Sequence, residues 1–219
     1  MTAIIVLNVK KENSVIICAD RQESDFYVDY NNIRLETVTM DGKEYLPVET
    51  SNRLTGVNHA KKITSIKDKY VFSGSGKSDK LASILTYCEL NSEKDSFIEE
   101  LKKNILPSNE EEQFILVNVE NNEIHFFNKK DYYYFNDDVL IFGDVRQIKP
   151  LEDNLQKCIE QYNINHLFDC LAFGLFELSH KNYNRSIASP FDSGCNISLI
   201  SNKQISNFKL KNFFRWEND

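Results

Sequence analysis

An excess of positive charge is missing from this sequence. Its 26 lysines and arginines face 33 aspartates and glutamates, for a formal net charge of -7. Phosphate backbones need a field of the opposite sign, so charge argues against nucleic acid as a partner. Basic pairs such as Lys61-Lys62 and Lys102-Lys103 are too few to make a stripe. A long apolar run is missing at the N-terminus as well. The stretch Ala3-Ile4-Ile5-Val6-Leu7 stops at Asn8, too short to span a bilayer, and lacks a signal peptide's charged start and small-residue exit. A cytoplasmic protein with no membrane partner is the expectation. Metal-ligand spacing is a third absence. His59, His125, His166 and His180 form no His-x-x-x-His pattern, and Cys18, Cys88, Cys158, Cys170 and Cys195 form no Cys-x-x-Cys pattern. No metal site and no cofactor can be argued from them. The cysteines are odd in number and set among apolar neighbours, which predicts buried, reduced thiols. There is no internal repeat and no low-complexity segment.

What is present is enough for a substantial core. At 219 residues and 41% hydrophobic, the chain reads as a single domain, 1–219. Two near-continuous apolar runs open it, about Thr2–Lys10 and Ser14–Arg21, joined by the polar turn Lys11-Glu12-Asn13; such runs suit strands covered on both faces. Residues 22–58 are polar and carry Met40-Asp41-Gly42-Lys43 between alternating stretches, a hairpin signal, and read as an insertion rather than a second domain. Strand character resumes at Lys62–Ile66 and Lys69–Phe72. The loop Ser73-Gly74-Ser75-Gly76 then leads to helices at about Ser78–Leu90 and Phe97–Ile105. Strands at Phe114–Val119, Glu123–Asn128, Tyr132–Phe135 and Val139–Phe142 precede helices at about Leu151–Tyr162 and His166–Leu178. The second of these is apolar almost all round, so it should be buried on more than one side, with Gly174 permitting a close crossing. Two strands, Asn196–Ser201 and Gln204–Leu210, and the aromatic tail Phe213-Phe214-Arg215-Trp216 close the chain. Strands, two helices, strands, two helices, strands: the order predicts an α+β fold, a four-layer αββα sandwich with a hairpin-bearing insertion.

Several residues could carry chemistry, and each also has a plain structural reading. Thr2 opens a strand, as many chains do. Lys62 reads equally as a solvated charge at a strand start, Asp20-Arg21 as a strand-end salt bridge, and Gly74 as a flexible turn before a helix. Gly74-Ser75-Gly76-Lys77-Ser78 also looks like a phosphate loop, although Val71 stands where that pattern needs a glycine.

Taken together and in order, these stretches resemble the proteasome β-subunit family and its bacterial ring-peptidase relatives, which are N-terminal-nucleophile (Ntn) hydrolases. The stretches are Thr2 opening a first strand, Val15-Ile16-Ile17-Cys18-Ala19-Asp20-Arg21, Ala60-Lys61-Lys62-Ile63-Thr64-Ser65-Ile66, and Ser73-Gly74-Ser75-Gly76, with a weaker fifth at Asp192-Ser193-Gly194-Cys195-Asn196-Ile197. The resemblance implies that Thr2, once Met1 is removed, is nucleophile and base in one residue. A free α-amine titrates near pH 8, so it can take the hydroxyl proton at neutral pH. By the same resemblance Lys62 sits beside the hydroxyl, Asp20 pairs with Lys62, and Ser193 belongs to the catalytic set. Gly74 offers a backbone N–H to the oxyanion, with Gly76 in its place if the register slips by two, and Ser24 hydrogen-bonds the peptide substrate. The implied activity is a threonine-type peptidase or amidohydrolase acting through an acyl-enzyme. The implied assembly is a homo-oligomeric ring around its peptide or protein substrate. An ATPase unfoldase partner stays open, with no signature in the chain. Two positions depart from the family, which usually has a serine near Asp144 and an aspartate at Pro190. Those departures favour an inactive structural or binding subunit as the alternative. A transamidase or ligase that resolves the acyl-enzyme with an amine also remains open.

Overall fold

The computed structural model describes residues 3–20, 23–26, 35–40, 43–49, 54–57, 62–106, 112–143, 145, 148–181, 195–211 and 215–218. Strands β1 (Ala3–Val9) and β2 (Ser14–Asp20) are joined by a short 3-10 turn, Lys10–Glu12, where the sequence predicts a polar turn. They form the middle of a six-stranded sheet with β12 (Val139–Gly143), β13 (Cys195–Ser201), β14 (Gln204–Lys211) and β15 (Arg215–Asn218), in the order β12-β1-β2-β13-β14-β15. A five-stranded sheet holds β7 (Ile63–Ile66), β8 (Tyr70–Ser75), β9 (Gln113–Asn118), β10 (Ile124–Asn128) and β11 (Asp131–Phe135), in the order β11-β10-β9-β8-β7. Every pairing in both sheets is antiparallel. Four α-helices are present among the described residues: α1 (Ser78–Asn91), α2 (Phe97–Asn104), α3 (Lys149–Gln161) and α4 (Ile164–Lys181).

The continuous apolar run of β1 has a simple cause, because successive side chains of a strand point to opposite faces. Ala3, Ile5, Leu7 and Val9 pack with Leu151, Leu155, Leu167 and Leu171 of α3 and α4. Ile4 and Val6 pack instead with Val71, Ile115 and Val117 of the five-stranded sheet. On that sheet's other face, Phe72, Phe114 and Phe127 meet Ile84 and Cys88 of α1 and Phe97 and Leu101 of α2. Both faces of β1 are thus covered, and alternation between polar and apolar would leave one of them unsatisfied.

Two sequence expectations change. Ser73, Gly74 and Ser75 are strand, paired with Ile115, Phe114 and Gln113 of β9, so only Gly76 and Lys77 remain to link β8 to α1. Polar composition suggested a loop, but Ser73 and Ser75 are buried, and the β9 ladder gives their backbone its partners. Helix α4 leaves part of its apolar surface open, with Phe173 51% exposed. The tail is in part a strand, since Arg215 and Trp216 pair with Lys211 and Leu210. Gly174 does mark a close crossing, for a Cβ there would lie 3.2 Å from Ile5 Cδ1 on β1. Among the described residues of 22–58 the backbone forms two antiparallel pairs. One joins β3 (Glu23–Phe26) to β6 (Leu54–Val57); the other is the predicted hairpin of β4 (Leu35–Met40) and β5 (Lys43–Glu49), with Met40 opposite Lys43.

Candidate active site

Asp20 ends β2, where it faces Cys195 across the β2–β13 ladder. Its carboxylate is fully buried. Oδ1 accepts the backbone N–H of Ala3 at 3.0 Å. The same carboxylate accepts Lys62 Nζ at both oxygens, 3.1 Å to Oδ1 and 3.0 Å to Oδ2. The lysine side chain is 9% exposed, so two charges are withdrawn from water together, which costs several kcal/mol per ion unless pairing and hydrogen bonds compensate. Here the carboxylate bridges the start of β1 and the residue preceding β7. It therefore joins the two sheets at one end.

Lys62 is fixed from behind. Its carbonyl accepts the hydroxyl of Ser73, 3.0 Å away on the neighbouring strand β8. Ser73 is fully buried and belongs to the motif from which sequence reading chose only the glycines. A second missed residue is Gln113. Its Oε1 accepts the N–H of Gly143 at 2.9 Å, and its Nε2 donates to Asn128 Oδ1 at 2.9 Å. Gly143 pairs with Ala3, so Gln113 is a second tie between the sheets at the level of Ala3. Nothing in the sequence marks this glutamine, because its role depends on two strands that are remote in the chain.

The N–H of Gly74 points in a defined direction. In an antiparallel ladder alternate residues turn their N–H groups to opposite neighbours. Val119 N donates to Lys69 O at 2.9 Å and Lys129 N to Glu112 O at 3.2 Å, which assigns Val71, Ser73 and Ser75 to β9. Gly74 must therefore turn its N–H to the β7 side, level with Lys62 and one residue before β7 begins. A Cβ here would lie 2.8 Å from Leu81 Cδ2, the far end of a flexible side chain, and 3.3 Å from Phe114 Cβ. Gly76 has φ +146 and sits against Glu112, with 3.1 Å from a virtual Cβ to the Glu112 Cα. Cys18, two residues before Asp20, is pushed well above the usual thiol range, first by burial and then by its contact with the Cys195 thiol. It remains a neutral thiol at physiological pH and is no rival nucleophile.

Asp20, Lys62 and Gly74 are thus brought to one end of the sheets, while Gly76 lies two residues beyond Gly74. The backbone of Ser24 lies in β3 opposite Gly56. Thr2, Ser193, Asp144 and Pro190 lie outside the described residues. A phosphate loop is not formed at residues 74–78, because Gly74 and Ser75 are strand and two linking residues cannot wrap a phosphate.

No protein-family model matches the sequence, and no curated protein matches it. Among solved structures, the eukaryotic HslV from Trypanosoma brucei superposes with a TM-score of 0.57, covering 91% of this chain and 99% of that one. The fold is HslV-like. At 11% identity the likeness speaks to fold alone, and it is consistent with the fold that the sequence resemblance implied. Among the described residues, this HslV-like fold holds no group of three His, Cys, Asp or Glu side chains able to bind a metal ion. None of its helices there is long and apolar enough to cross a membrane.

Proposed function

We propose that this chain is a threonine-type amidohydrolase or peptidase that acts through Thr2 after loss of Met1. One observation carries the reading. The buried Asp20 carboxylate holds both the amide nitrogen that follows Thr2 and the ammonium of Lys62. A fixed cation beside a hydroxyl favours the ionised oxygen and stabilises negative charge there. Thr2 Oγ1 attacks a substrate carbonyl and its own α-amine takes the proton. The Gly74 N–H meets the oxyanion as it forms. The amine then passes the proton to the leaving nitrogen, and water hydrolyses the ester. Asp20 orients Lys62, while Ser73 and Gln113 hold the backbone on either side. Ser193 completes the catalytic set, and Ser24 and Gly76 border the substrate.

The wider reading goes with it: a single four-layer αββα domain, supported by the three apolar clusters, in a cytoplasmic homo-oligomeric ring acting on peptide or protein. A second reading, an inactive subunit of the same fold, is favoured by Asp144 and Pro190 standing where active members carry serine and aspartate. One experiment separates the two. The purified protein should lack Met1 by intact mass and take up one equivalent of a threonine-directed electrophile, and Thr2→Ala should take up none. Retained Met1 in the native assembly, or equal labelling of Thr2→Ala, rejects the catalytic reading in favour of the inactive subunit.

A further inference from the structure

Four of the five cysteines lie in two thiol–thiol contacts. Cys18 on β2 touches Cys195 on β13, and Cys158 on α3 touches Cys170 on α4. The first pair is fully buried, as is Cys88, so no oxidant reaches them in the folded protein. The second pair differs. Both cysteines are only partly buried, and they sit at the rim of the apolar cluster that joins α3 and α4 to β1. They are presented by helices joined only by Tyr162 and Asn163, which keeps the two sulfurs facing each other.

We propose that Cys158 is an oxidation site resolved by Cys170, so that a hydroperoxide closes a disulfide stapling α3 to α4. The two thiols have unequal parts. Burial, then the Cys158 contact, then the charges nearby push Cys170 up to about 12, so it keeps its proton at neutral pH. Cys158 therefore meets the oxidant. Its sulfur attacks one peroxide oxygen, the O–O bond breaks, and a sulfenic acid and water form. The Cys170 sulfur then attacks the Cys158 sulfur, its proton leaves with the departing hydroxyl, and a second water is released. Two thiols lose two hydrogens and one hydrogen peroxide becomes two waters. The ring so closed spans about a dozen residues. Because α3 and α4 cover the face of β1 that carries Ala3 and Ile5, the staple stiffens the layer behind the candidate site.

The test uses the full chain and hydrogen peroxide, and it does not depend on any catalytic activity. Non-reducing peptide mapping should show one link, Cys158 to Cys170, with Cys18, Cys88 and Cys195 still alkylated after unfolding. Oxidation should raise Tm by about 5 °C, reversed by a reductant. In Cys170→Ser a dimedone adduct should accumulate on Cys158, whereas Cys158→Ser should give no adduct at position 170. A link between other cysteines, over-oxidation of Cys158 without a link in the native chain, or an adduct on Cys170 in Cys158→Ser overturns the proposal. The mapping on native protein stands even if either variant fails to fold.

Discussion

At the scale of single residues, the buried Asp20–Lys62 pair has a thermodynamic side apart from any chemistry. Removing one member leaves the other charge in a dry site, a loss of about 3–5 kcal/mol. For a chain of this length that corresponds to a Tm drop of roughly 10 °C, which thermal unfolding of Lys62→Ala should show. A drop below about 2 °C would mean that the pair is solvated. Asp20→Asn keeps an acceptor for the Ala3 N–H but leaves the Lys62 ammonium unpaired, so it should lose stability on the same scale and also slow the labelling of Thr2. His125 supplies a pH signature. It is buried, with Nδ1 2.9 Å from the Tyr132 hydroxyl, and burial pulls its pKa below the usual 6.5 despite Glu123 nearby. A base whose folded pKa is lowered binds fewer protons folded than unfolded. Its share of stability is present above pH 6.5 and lost as pH falls through the lower folded value. Tm of the native chain should therefore decline between pH 6.5 and 5 more steeply than that of His125→Phe. Parallel curves for the two would show that His125 is protonated without cost.

At the scale of elements, β8 and the link to α1 decide the geometry of the site. Gly74 lies in the ladder, and the close atom in its way, Leu81 Cδ2, is the far end of a flexible side chain. Gly76 has neither advantage. Its φ of +146 is strained for any side chain, and the obstructing atoms include the Glu112 Cα. Gly76→Ala should accordingly cost about 1–3 kcal/mol and exceed Gly74→Ala in stability loss, read by denaturant midpoints. Labelling of Thr2 should respond in the opposite order, because Gly74 is the residue whose N–H turns to Lys62. If Gly74→Ala labels at the native rate while Gly76→Ala does not, the oxyanion donor is at the second glycine.

At the scale of the whole molecule, the segment 22–58 is the feature that size and core do not require. Its two strand pairs, β3–β6 and β4–β5, are each two-stranded, and isolated hairpins are marginal in water. The segment carries Phe26, Tyr27, Tyr30 and Tyr45 among many charges, the make-up of an interface with a polar rim. Deleting about residues 25–55 and bridging with Gly-Ser should shift the oligomeric state by light scattering or widen the range of peptides accepted. An unchanged assembly with an unchanged substrate range would reduce the segment to an ornament.

Much of this molecule was legible in the chain alone. Continuous apolar runs determined that β1 and β2 are interior strands, since only a strand covered on both faces can leave no side chain to water. Element order and the hairpin at Met40–Lys43 followed from periodicity and turn chemistry, which are local. Asp20, Lys62 and Gly74 could be named because they recur in a recognisable order. Their contacts could not be named. Only the tertiary structure decided that one carboxylate serves both Ala3 and Lys62, because the bond joins residues 42 apart from different sheets. It also decided that Ser73–Ser75 are strand, as β9 supplies hydrogen-bond partners from forty residues downstream. Gln113 and the paired thiols of α3 and α4 belong to the same class. Sequence fixes what is set by neighbours along the chain; chain closure in space sets the rest, and it leaves no periodic trace.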